Sequence, residues 1–177
     1  MVGQEHHAQR QTPVIHLEIS SPAVSVVVPT AVASRILFAT ATEFLQTAEL
    51  AAQALEAGNG RRVPGGVTIP GVVCTALAAE LFLKSALVAL GCRTPDQLQT
   101  HDLAELVGLL PQQHQVSLSF HAGADEASFA THLNHIKDAF KEWRYLHENP
   151  SPLLNSGFLT SFAGAAKSLA AQALRQR

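Results

Sequence analysis

Two cysteines, one tryptophan, one tyrosine and one methionine are all that 177 residues hold of those types, and only 15% of the chain is charged. Each scarcity excludes something. With Cys74 inside an apolar helical run and Cys92 as the sole companion, neither a disulfide framework nor a zinc site built on paired cysteines is expected. A formal net charge of −2 gives no overall attraction to nucleic acid, so such binding has to come from a local patch. A Gly-rich phosphate loop, a G-x-S-x-G elbow, a Cys-x-x-Cys pair and a repeat period are all missing. The opening MVGQEHHAQRQTP has neither the basic start nor the apolar core of a secretory signal, and the longest apolar run is interrupted by charge. A cytoplasmic protein without membrane contact is the expectation. His6 and His7 belong to the polar residues 1–12, read as a disordered end rather than as metal ligands.

What is abundant is apolar side chain, 47% of the total, enough for one well-filled core. Residues 13–29 alternate apolar and polar (VIHLEI) and then run β-branched (VSVVV), the pattern of a strand, hairpin or extended arm. Its expected partner is the short stretch 67–69 or the same arm of a second copy. From Pro29 the period becomes helical, with Leu37, Ala41, Phe44, Ala48, Ala52 and Leu55 on one stripe. Gly58 ends it, and RRVPGG follows as a basic loop. Residues 70–90 are apolar on nearly every side, which marks the central helix. A short helix with Leu103, Leu106 and Leu110 inward comes next, then a polar connection at 112–124. One long helix is expected over 127–148, with Phe129, Leu133, Ile136, Phe140, Trp143 and His147 on its apolar seam. A last helix carries Phe158, Phe162, Ala165, Ala166 and Leu169. The expected fold is mainly α: an antiparallel four- to five-helix bundle over residues 30–177 with a small N-terminal β annex.

The chemistry-bearing residues gather at the end of the long helix, where FKEWRYLHE joins the only Trp and the only Tyr to Arg144 and His147. Arg144 is four residues after Phe140 and three before His147, so guanidinium and imidazole can share a patch, and Glu148 can pair with Arg144 on the adjacent turn. In the central helix Glu80 and Lys84 stand in the favourable order for an i,i+4 ion pair, and neither can be buried alone without a cost of several kcal/mol. His101 and Asp102 open the short helix, where Thr100 is the expected cap and His101 is expected to be tied to backbone or carboxylate. His132, His135 and Asp138 spell H-x-x-H-x-x-D, but they point away from the apolar seam, and a solvated face accounts for them without metal.

ELFLK in the central helix, HDL at the start of the short one, and F-x-x-WRY-x-x-E closing the long one, in that order, resemble the HEPN superfamily of small all-α domains from prokaryotic toxin, defence and nucleotide-linked systems. The resemblance covers roughly residues 30–175. It implies a homodimer, no cofactor and no metal, and a protein partner such as a nucleotidyltransferase-like chain or an antitoxin. It also implies two functions. Some members cleave RNA without metal, using an Arg followed by a His across a dyad; here that pair is Arg144, with Tyr145 in the polar slot, and His147, after two intervening residues rather than four to six. Others bind without cleaving. The residues favour the second function, an interaction domain in which Arg144, His147 and Glu148 satisfy one another, with Glu80 and His101 in support.

Overall fold

The computed structural model describes residues 29–58, 68–144 and 154–176. Within them the chain is helical, with no strand. The expected N-terminal arm, the RRVPGG loop and the residues Tyr145, His147 and Glu148 lie outside the described residues.

Helix α1 spans Thr30–Glu56 and α2 Ile69–Ala89. Thr68 accepts the Gly71 N–H at 3.0 Å and Pro70 takes a first-turn position, so Thr68 and Ile69 open a helix rather than pair as the strand partner expected for the arm, and Val67 lies outside the described residues. The two helices are antiparallel. The start of α1 meets the end of α2, where buried Ser85 donates its hydroxyl to the Ser34 carbonyl at 2.8 Å. The far end of α1 meets the start of α2, where Gly71 faces Ala48 and Ala51. Small residues line this contact, among them Ala41, Ala48 and Ala76, and let the axes approach closely. Gly91, at φ 72°, ends α2 in a Schellman motif: the Cys92 N–H reaches the Leu87 carbonyl at 2.9 Å and the Gly91 N–H reaches Val88 at 3.2 Å.

After a 3-10 turn at Pro95–Gln97, four helices follow: α3 (Leu103–Gly108), α4 (Gln112–His121), α5 (Glu126–Ile136) and α6 (Ala139–Arg144). The last, α7, spans Ser156–Arg175. Two expectations are corrected here. Residues 112–124 are not a bare connection: α4 occupies most of it, ended by Gly123 at φ 75° in a second Schellman motif. The long helix over 127–148 is also broken, by a turn at Lys137 and Asp138, because the Lys137 carbonyl accepts the first amide of α3, Leu103 N–H, at 3.0 Å. That bond satisfies one orphan donor of a helix start by taking an acceptor from the α5–α6 ladder. The seam survives the break. Phe129, Leu133, Ile136 and Trp143 are buried and Phe140 half-buried.

Helix α2 packs against α1, α3, α6 and α7, so its apolar faces meet protein in four directions. By length and composition it could cross a membrane, but 78% of its most apolar window is buried inside the bundle. Leu83 and Leu87 are wholly inaccessible, whereas Leu81 is only half-buried. Helix α7 begins at the same end as α2 and lays Phe158, Phe162, Ala166 and Leu169 on the core as the sequence stripe anticipates.

Candidate functional site

The charges of α2 are buried. Glu80 is 1% and Lys84 8% exposed, one helical turn apart, with Nζ 2.7 Å from the Glu80 Oε1. The i,i+4 spacing builds this pair from sequence alone. A third partner arrives from elsewhere. The Gly91 turn sends the chain back along α2, and His101, just before α3, places Nδ1 at 3.0 Å from both Glu80 oxygens. An ionised carboxylate can only accept, so Nδ1 carries the hydrogen and donates it. The imidazole side chain is 45% exposed, so the cluster runs from the interior to the surface.

Asp102 is held separately. It is the N-cap of α3, its Oδ1 accepting Ala104 N–H at 2.8 Å and Glu105 N–H at 3.0 Å. Thr100, the expected cap, accepts the Asp102 N–H at 3.1 Å and donates to the Glu105 carboxylate at 2.6 Å. His101 is thus fixed on both sides: by Glu80 through its ring, and by a hydrogen-bonded turn through its backbone.

Phe140 joins this cluster to α6. Its ring centroid is 5.4 Å from that of His101, and the Arg144 Cζ sits 4.9 Å from the same centroid, within cation–π range. Below, Lys137 lies 3.9 Å from Asp102 and 3.6 Å from Asp138, while Lys141 lies 3.7 Å from Asp138. The candidates Glu80, His101 and Arg144 are therefore brought into one neighbourhood. Lys84 and Phe140, the links between them, were not read from sequence as part of one site. The i,i+4 pair pointed to Lys84, but no sequence signal joins residues 80 and 101.

The histidines of the H-x-x-H-x-x-D pattern part company. The His132 ring packs on Phe158 of α7, centroids 5.0 Å apart, rather than facing solvent with its neighbours, and His135 is exposed. Among the described residues no three His, Cys, Asp or Glu side chains gather as metal ligands would. Cys74 and Cys92 are both half-buried, and burial pushes the Cys74 thiol up from its ordinary value.

Two other surfaces stand out. A cavity of about 180 Å³ lies between α1, α2 and α7, lined by Leu45, Leu55, Val72 and Leu159 with Thr75 and Thr160. On α4, Phe120 is 77% and Val116 54% exposed, one turn apart on the same face.

The chain matches no family model, no curated protein and no solved structure.

Proposed function

We propose that the chain is a HEPN-like helical interaction domain that forms a homodimer and engages a second protein of a toxin–antitoxin or defence-type system. One observation carries the HEPN reading: three sequence pieces far apart in the chain converge on one cluster. ELFLK contributes Glu80 and Lys84, HDL contributes His101, and F-x-x-WR contributes Phe140 and Arg144. A side-chain cluster drawn from three separate segments ties residues scattered in sequence to one place in the fold. Self-association is supported by Val116 and Phe120 on α4, whose apolar surface is left in water by this bundle and is of the kind a two-fold contact removes.

The test is the mass in solution at micromolar concentration. A homodimer is expected for the natural chain, and Phe120→Lys should shift it to monomer with helix content and unfolding midpoint retained. A monomeric natural chain would refute the dimer. Metal-independent RNA cleavage by Arg144 and His147 is the competing reading, and cutting of single-stranded RNA in chelator, lost in His147→Ala, would establish it instead.

A further inference from the structure

The cavity between α1, α2 and α7 is lined by no residue of the Glu80 cluster or of the α4 face, so a ligand held there binds independently of the dimer. Its lining runs from buried Leu55, Val72 and Leu159 to exposed Glu49, Ala52 and Thr160, so among the described residues the space reaches the surface. At about 180 Å³ it has room for one small ring, since an apolar cavity of about 150 Å³ accepts benzene.

The polar part of the lining decides the head group. Thr75 donates its hydroxyl to the Gly71 carbonyl at 2.8 Å and Thr160 to the Ser156 carbonyl at 3.0 Å, so toward a ligand both oxygens can only accept. Glu49 is the only ionisable residue of the lining, and it has no hydrogen-bond or ion-pair partner among the described residues. No Lys or Arg follows Arg35 on α1, whose far half carries Glu43, Glu49 and Glu56. The opposing influence is the positive ends of α2 and α7, which start at this cavity and favour an anion. Their amides are largely spent: the Gly71 N–H on Thr68, the Phe158 N–H on Asn155, and the Val72 and Leu159 N–H groups on the Thr68 and Asn155 carbonyls, while Pro70 has none. A carboxylate would meet Glu49 with few donors to offset the repulsion, whereas an ammonium brings three donors to a lining rich in acceptors. We propose that this cavity binds a small hydrophobic amine, its ring or branched alkyl group inside and its ammonium at Glu49.

The experiment titrates the full chain with benzylamine at neutral pH and fixed ionic strength, and follows the leucine and valine methyl resonances by NMR. Benzyl alcohol and benzoate, of nearly the same size, supply the neutral and anionic arms. Saturable movement of the Leu55, Val72 and Leu159 methyls is expected, with those of Leu103 and Leu106 on α3 left in place. Benzylamine should bind most tightly and benzoate least. Glu49 is exposed, so Glu49→Gln should retain the urea midpoint while weakening benzylamine by about threefold to fivefold, the worth of an exposed ion pair, and leaving benzyl alcohol unchanged. Ala52→Leu, at another exposed position of the lining, puts a branched side chain into the space and should abolish binding of all three compounds. Absence of saturable shifts at these methyls, or full binding by Ala52→Leu, overturns the cavity as a site. Benzoate or benzyl alcohol binding more tightly than benzylamine, or undiminished benzylamine binding by Glu49→Gln, overturns the amine assignment.

Discussion

Replacing Lys84 by Met preserves the unbranched apolar stem and removes only the ammonium. Because Glu80 and Lys84 are 1% and 8% exposed, the carboxylate left behind cannot recover its charge partner from bulk water. Removing one member of a buried ion pair costs about 3 to 5 kcal/mol, most of it the uncompensated partner. His101 still donates to Glu80 and moderates the loss, so about 3 kcal/mol is the expected value. The second half of the cycle is Glu80→Gln combined with Lys84→Met. That pair holds no buried charge, and the Gln carbonyl can still accept from His101 Nδ1, so the double variant should recover most of the loss. The coupling should reach about 2 kcal/mol. Urea unfolding followed by far-UV circular dichroism, at fixed protein concentration, reads both numbers from midpoints at constant slope. A Lys84→Met cost below about 1 kcal/mol, the range of an exposed pair, would show that the cluster is wet and that its burial is not what holds His101.

Leu83→Ala, at a wholly buried position on the central helix, should cost about 2 to 5 kcal/mol by urea unfolding. Trp143 is 5% exposed and its indole N–H has no hydrogen-bond partner among the described residues, so Trp143→Phe should fall within about 1 kcal/mol of the natural chain while Trp143→Ala loses about 3 to 5. Equal costs for the two would mean that the N–H is bonded. Asp125 caps α5, and the Ser128 amide and hydroxyl hold its carboxyl below the ordinary 3.8. A depressed folded value gives stability that is present above the unfolded value and lost as pH falls through the folded one. Asp125→Asn should therefore flatten the midpoint's decline below about pH 4 without removing the cap, whereas Asp125→Ala should lower the midpoint at neutral pH as well.

The central helix was legible because nothing about it is amphipathic: a stretch apolar on all sides has no solvent face to offer and has to be surrounded. Helix α7 was legible for the opposite reason, its stripe being clean. What escaped was decided by partners remote in sequence. Residues 112–121 read as a connection because QQHQVSLSFH leaves Phe120 outside and buries little beyond Leu118 and Ser119, so no stripe marks it. The break at Lys137 carries neither Gly nor Pro; its cause is an amide 34 positions earlier, Leu103, which competes for a carbonyl that the helix would otherwise use. The Glu80–Lys84 pair followed from spacing, but its third member followed only from the path of the chain after Gly91. Of the expected site, Arg144 is placed against Phe140, and His147 lies outside the described residues.

The energetics of the cluster bear on what it is for. A buried ion pair repays its desolvation poorly, and well-packed apolar residues in its place are often neutral or stabilising by about 1 to 4 kcal/mol. Stability is thus a weak reason for two charges in the most apolar helix of the bundle. Geometry is a stronger one. Lys84 engages only Oε1, while His101 spans both Oε1 and Oε2 at 3.0 Å, so the lysine fixes the carboxylate and the carboxylate fixes the imidazole. The fixed quantities are the tautomer, with hydrogen on Nδ1, and the placement of a partly exposed ring against Phe140. A histidine kept only for packing needs neither. If orientation is the role, Lys84→Met should broaden or split the His101 ring resonances even at urea concentrations far below the transition, because the carboxylate loses one of its two anchors. A single sharp His101 environment in that variant would leave the pair with stability alone to account for it.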